Sequence, residues 1–298
     1  MPRSAFRRAL FQAAWLRPSD TDGVVATSLR FEELAGAFQR YAARYLGRPE
    51  DEILYFPPVT PRAVIERTGY TLAFPHLLGS VSGLAVNDRS HAGLLTTAEA
   101  ERDWDALLSS TDLMLTPAIC HPLYPLCRGV LPGGWRRFNV TGWCFRHEPS
   151  ADPIRLQSFR QYEWVCLGEP QAVTGQWERW TGEATSLLAN LGLEVEPVIA
   201  TDPFFGRSGQ ILAAAQRDER LKLEFVTDIA GDGLVAIGSC NRHLDHFGAA
   251  FGIETTPGRL AHSACIGLGL ERVALALLAR HGLEPAHWPA QTRERLWP

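Results

Sequence analysis

Within residues 145–165 the chain reads FRHEPSADPIRLQSFRQYEWV, with Arg146, Glu148, Arg155, Phe159, Gln161 and Glu163 spaced around a polar turn. Successive side chains of an extended strand alternate faces, so Arg146 and Glu148 share one face and Phe159, Gln161 and Glu163 share one face of a partner strand. Pairing about a turn at 149–154 would bring a cation, a carboxylate and an aromatic ring onto one concave surface. A nucleotide suits that surface. A planar guanidinium donates twice to a phosphate, a glutamate or nearby backbone receives the adenine amino group, and a phenylalanine stacks on the base. Spacing alone does not separate this reading from a solvated hairpin carrying cross-strand ion pairs.

A second constellation, ACIGLGLERVALALLARHG at 264–282, passes from a strand-like run through Gly267 and Gly269 into a helix with Leu270, Val273, Leu277 and Leu278 on its apolar positions. Arg272 lies in the first turn, where a cation opposes the helix dipole unless an anion sits nearby. No third glycine completes a dinucleotide fingerprint, and no GxxxxGK[ST] loop occurs anywhere. A bound nucleotide would therefore be held by neither common phosphate loop.

Strands and helices must carry these residues. Alternating runs at 138–146, 156–167, 221–226 and 234–241, separated by turns and following one another without a helix in places, predict an antiparallel sheet in an α+β fold. Apolar Phe31, Leu34, Phe38, Tyr41 and Tyr45 predict a helix over 28–46, stopped at Gly47. A capping box at Thr96-x-x-Glu99 predicts a second helix running through Trp104 and Leu107. Trp177, Trp180, Ala184, Leu187 and Leu191 mark a third, ending before Gly192. The proline-rich segment 121–134 reads as a long surface loop. No repeat or linker divides the chain, so one domain is expected over 1–298, with 1–63 as its N-terminal helical part.

Composition narrows the classes. A chain of 298 residues with 46% hydrophobic content buries a large core, and a net charge of −4 offers no basic excess for gripping nucleic acid. No apolar run reaches the roughly 18 residues a membrane span requires. Arg3, Arg7, Arg8 and Arg17 precede the first acid, Asp20, which a transit peptide would share. An ordinary first helix is the simpler reading, and a reducing cytoplasm is expected. The six dispersed cysteines suit thiols or metal ligands better than a disulfide framework.

FRHE followed by Arg155-x-x-x-Phe159 resembles motif 2 of the class II aminoacyl-tRNA synthetases, and GLGLER resembles their motif 3. VIERTGYTLAFPHLLGS, 64–80, stands where motif 1, the dimer-forming element of that family, would fall. More closely, TPAICHPLYP, RQYEWV, SCNRHLDHFG and HSACIGLGLERVAL resemble the small bacterial amino acid:[carrier protein] ligases, which are similar to the catalytic core of the zinc-dependent seryl-tRNA synthetases of methanogens. The likeness runs from about Val64 onward.

The resemblance implies a class II synthetase-like antiparallel sheet flanked by helices, in a cytoplasmic homodimer. It implies zinc held by Cys120, Glu163 and Cys265, three protein ligands with an open fourth position. Without it, isolated cysteines read as small buried hydrophobes, the reading kept for Cys127, Cys144, Cys166 and Cys240. It places Arg146 at the α-phosphate of ATP, Glu148 at the adenine edge, Phe159 at the adenine face and Arg272 at the γ-phosphate. Arg155 falls near the terminal phosphates, while Glu224 and Asn241 lie on strands facing ATP, its Mg2+ or the substrate. The implied activity is formation of an aminoacyl-adenylate from a small amino acid, glycine or alanine, with transfer to the phosphopantetheine thiol of a carrier protein. No segment resembles a tRNA-binding domain, so tRNA is not the expected acceptor. The alternatives are a synthetase-like enzyme that charges tRNA or modifies a protein, and a non-catalytic ATP or amino-acid sensor.

Overall fold

The computed structural model describes residues 2–84, 87–99 and 104–298. Four helices matter for the site: α1 (Arg3–Gln12), α2 (Leu29–Leu46), α3 (Pro170–Ala189) and α4 (Leu270–His281). The second starts where the Ser28 hydroxyl accepts from the Phe31 N–H at 3.3 Å, satisfying one of the orphan donors of the first turn. A seven-stranded sheet comprises β1 (Glu52–Phe56), β2 (Arg136–Phe145), β3 (Ser158–Gly168), β4 (Glu196–Ile199), β5 (Lys222–Asp228), β6 (Leu234–Leu244) and β7 (His262–Gly269). Its spatial order is β4-β5-β6-β7-β3-β2-β1. Every neighbouring pair is antiparallel except β1 with β2.

Alternation sorts the sheet into two unlike faces. Trp164, Cys166, Phe225, Cys240, Ala264, Ile266 and Leu268 join one buried apolar core with Leu34, Phe38, Trp180, Leu187, Val273 and Leu277 of the covering helices. Each such large side chain taken from water contributes about 1.5–3 kcal/mol. Phe6, Leu10, Trp15 and Leu16 enter the same core, so the N-terminal segment helps cover this face. The intervening positions, among them Phe159, Gln161, Glu163, Asn241 and Cys265, fall on the other face.

Several expectations are corrected. The helix placed at Thr96 instead runs Asp88–Glu99, and the Thr96 hydroxyl donates to the Ala92 carbonyl at 2.9 Å inside it. The expected continuation crosses 100–103, outside the described residues, and Asp105–Leu107 is a separate 3₁₀ turn. Apolar His121-P-L-Y contacts override the loop signal at 121–134: His121–Cys127 forms a 3₁₀ helix that buries His121, Leu123, Tyr124 and Cys127. The N-terminal part is not purely helical, because 1–63 also contains the hairpin Leu16–Pro18 with Val25–Thr27, the edge strand β1, and Val59–Pro61. The 64–80 segment contributes short helices at Arg62–Arg67 and Tyr70–Ala73 and a turn at Pro75–Leu77. No helix among the described residues is long and apolar enough to cross a membrane.

Candidate active site

Strand register assembles the open face. Glu163 lies opposite Gly267 across β3 and β7, Cys265 opposite Asn241 across β7 and β6, and Glu224 opposite Ser239 across β6 and β5. Cys120 is brought over the sheet by the segment entering the His121–Cys127 turn, where Tyr124 stacks on Phe247 with centroids 3.9 Å apart. Gln161 fixes that segment: its Oε1 accepts from the Ile119 N–H at 3.1 Å and from the Cys144 thiol at 2.9 Å. Gln161 was legible on the correct face but had no role in the sequence reading.

Cys120, Glu163 and Cys265 are all buried, and their ligand atoms lie within 4.8 Å of one another. Glu163 Oε2 has no hydrogen-bond partner. Burial first, and then Cys265, hold its carboxyl well above the ordinary carboxylate range. The contact between the two thiols raises Cys120 well above a free thiol and lowers Cys265 well below it. A buried carboxylate with an unmet oxygen beside two sulfurs is a poor structural motif and a good ligand set, because a divalent cation would satisfy all three groups at once. Gly267 belongs to this design: a Cβ there would meet Glu163 Oε1 at 2.9 Å.

Beyond the triad lies a cationic region. Arg146 donates from Nε to the Pro117 carbonyl at 3.2 Å, with its guanidinium 5.4 Å from the Phe159 ring centroid. Arg272 donates to the Ile154 carbonyl and the Ala236 carbonyl, each at 3.0 Å, bridging the β2–β3 turn to β6. Burial, and then the like charges of Arg146 and Arg155, pull Arg272 down to about 10. Arg155 and Glu148 face each other at 3.8 Å, both on the accessible rim. Glu224 pairs with Lys222 at 2.9 Å, and Lys222 also holds Asp202 at 2.5 Å. Asn241 is turned toward the triad, its Nδ2 3.5 Å from Cys265 Sγ.

All ten residues singled out from the sequence therefore lie on this face or its rim, though not in one cluster: the triad with Asn241, the Arg146–Phe159 pair with Arg272, and the Arg155–Glu148 and Lys222–Glu224 pairs are separate groups. Tyr70 was missed. Its hydroxyl is buried without a partner, and burial pushes it up to about 12, offset in part by Arg146. His243, against Cys265, was also missed, although its two-residue offset from Asn241 in SCNRHLDHFG was a visible signal. A cavity of about 400 Å³ near Ala290 and Trp297 contains none of these groups.

Residues 109–281 match the family model of the tRNA synthetase class II core domain (G, H, P, S and T). Amino acid–[acyl-carrier-protein] ligase 1 of Bradyrhizobium diazoefficiens is 41% identical over 281 residues, covering 93% of this chain and 85% of that protein. The type-2 serine–tRNA ligase of Methanopyrus kandleri is 30% identical over 200 residues, 61% of this chain and 37% of that protein. Among solved structures, the M. kandleri seryl-tRNA synthetase in complex with A. aeolicus tRNASec superposes with a TM-score of 0.85 at 22% identity, over 98% of this chain and 60% of that one. The Pyrococcus horikoshii seryl-tRNA synthetase complexed with ATP gives 0.71 at 15% identity, over 99% and 62%. Such structural likenesses establish the fold: a class II synthetase-like sheet flanked by helices.

Proposed function

The chain belongs to the amino acid–[acyl-carrier-protein] ligases, enzymes with the class II tRNA synthetase core, and from that premise we propose that it activates glycine or alanine with ATP and passes the aminoacyl group to a carrier-protein thiol. The observation that carries this reading is the meeting, on one sheet face, of mutually repelling arginines with a buried Cys–Glu–Cys set. The first want a polyphosphate and the second wants a cation.

In the proposed reaction an amino-acid carboxylate oxygen attacks the α-phosphorus of ATP, the bond to the β-phosphate oxygen breaks, and pyrophosphate leaves. Arg146 stabilises charge growing on the α-phosphate oxygens, Arg272 and Arg155 hold the departing phosphates, Phe159 stacks on adenine, and Glu148 receives its amino group. This is electrostatic catalysis, needing no protein nucleophile. Mg2+ would travel with ATP, near Glu224. Cys120, Glu163 and Cys265 would hold zinc, which supplies an electrophilic open position for the substrate amine. The carrier's phosphopantetheine thiolate then attacks the acyl carbon, forming a thioester and releasing AMP. Buried Tyr70, His121 and Tyr124 crowd the Cys120 side of the face, which favours a short amino-acid side chain. A homodimer is also proposed, since the free edge β1 exposes Ile53 and Tyr55.

Amino-acid-dependent pyrophosphate exchange, run with all twenty amino acids, tests activation; exchange with glycine or alanine is expected, and none with any amino acid would leave only a sensor. Radiolabel should then enter holo-carrier, not apo-carrier, and be released by hydroxylamine. Label on tRNA and never on holo-carrier overturns the acceptor assignment.

A further inference from the structure

The pairing of β6 with β7 slips between Arg242 and Leu244: Arg242 faces Ala264 and Leu244 faces Ser263, which leaves His243 as an inserted residue. Leu244 adopts φ of 52°, a left-handed conformation that a branched residue rarely takes. Bulges of this kind re-aim a side chain, and local strain is tolerated where the re-aimed group is used. Here the ring of His243 is turned onto Cys265. Its Nε2 lies 3.7 Å from Cys265 Sγ and its Nδ1 3.1 Å from the Ser263 hydroxyl, with the Tyr124 hydroxyl at 3.5 Å from the same nitrogen. Phe247 packs edge-on at 4.9 Å and fixes the ring plane.

With Cys265 ionised as a metal ligand, Nε2–H donates to sulfur and Nδ1 accepts from Ser263. Asn241 adds a second donor at 3.5 Å, its position set by a 3.2 Å bond to the Ser239 hydroxyl. Cys120 has no nitrogen donor on its sulfur among the described residues. The two sulfurs of the triad are thus unlike: Cys265 receives two nitrogen donors and Cys120, among the described residues, none.

We infer that His243 and Asn241 are positioning residues for the metal centre, whose N–H groups orient the Cys265 thiolate and withdraw charge from it, so that a bound ion accepts the substrate amine more strongly. The inference rests on the proposed Cys120–Glu163–Cys265 ligand set and adds the shell around it. Two thiolates and a carboxylate together outweigh the charge of a divalent ion, which makes the ion a weak acceptor. Hydrogen bonds to one sulfur reduce its donation without removing the ligand. Partners of metal ligands tune affinity and reactivity in this way.

The full-length protein, stripped of metal and reconstituted with Co2+, provides the test. A thiolate-to-cobalt charge-transfer band is expected in the wild type. In His243→Phe and in Asn241→Ala the band should move to lower energy, because the sulfur lone pair is no longer stabilised. His243→Gln, which retains an N–H donor, should return part of the shift, and Ser263→Ala should give a smaller shift in the same direction. Zinc affinity, read by chelator competition, should fall about 10- to 100-fold in His243→Phe. The KM for the amino acid should rise while that for ATP holds. If His243→Phe does not fold, Asn241→Ala and Ser263→Ala carry the spectroscopic comparison. Bands identical to wild type in the folded variants overturn the inference. A wild-type protein with no thiolate band overturns the ligand set itself, a separate failure.

Discussion

Strand β3 carries two ionic groups, Arg160 largely buried and Glu163 wholly so, that face opposite ways. Toward the helices, Arg160 is saturated: Glu271 accepts from its Nε and its backbone N–H, each at 2.7 Å, and Glu32 accepts from Nη1 at 2.6 Å. Toward the open face, Glu163 keeps an oxygen with no partner, and Arg146 has one carbonyl and an aromatic ring for company. Both regions hide charge from water, so burial does not distinguish them. Pairing does. A closed cluster answers every donor from within the chain, and an open one waits for groups brought from outside.

The sharpest way to break this contrast is to open the closed cluster. Glu271→Ala should cost about 3–5 kcal/mol of stability, since Arg160 loses two charge-assisted hydrogen bonds of about 1.5–3 kcal/mol each and keeps Glu32 alone. Urea unfolding measures the loss, and a variant as stable as wild type would make the Arg160 cluster no more structural than the open face. Next, Arg146→Ala should slow pyrophosphate exchange roughly 100- to 1,000-fold with little change in unfolding midpoint. Comparable exchange rates would remove Arg146 from the reaction. A milder probe is Gly267→Ala, whose added methyl must displace the Glu163 carboxylate; zinc affinity should drop about tenfold while the fold persists, as judged by chelator titration and circular dichroism.

The smallest effect sharpens the comparison through pH. Burial pushes Asp202 up, but Lys222 and Gln216 overrule it and hold the carboxyl below its ordinary value. Its contribution is full above the ordinary carboxylate range and is lost as pH falls through the lowered value. Glu163 behaves oppositely in metal-free protein: with its carboxyl raised by burial and Cys265, its contribution is full below the ordinary range and is lost as pH rises through the raised value. Unfolding of metal-free wild type against Asp202→Asn and Glu163→Gln should give differences with opposite pH slopes. Slopes of the same sign would show that the two carboxyls do not differ in kind.

Much of this was legible in the sequence for physical reasons that also bound it. Alternation put Phe159, Gln161 and Glu163 on one side of β3, because a strand has no other way to direct its side chains. It could not join them to Cys120 and Cys265, which come from distant segments and meet only through register; the resemblance to known ligases supplied that link. Thr96 misled because a capping pattern needs a free helix start, and the helix had already begun at Asp88. The prolines of 121–134 signalled a loop, while Leu123 and Tyr124 decided its burial. His243 stood two residues beyond Asn241, on the face alternation assigns, and was passed over; only the bulge that leaves it unpaired escapes a periodic reading.

The strand order has a consequence for how the molecule comes into being. β7 follows the other six strands in the sequence yet lies in the middle of the sheet, between β6 and β3. The two halves of the sheet are joined only through the Cys265 strand, so the pairing that unites them is long-range and late. During synthesis, Cys120 is made 145 residues before Cys265 and Glu163 102 residues before it, so both wait for their third partner. The step that gathers the ligand set is thus the same step that joins the two halves of the sheet, and a chain that has not yet reached Cys265 has no assembled centre with which to trap a metal.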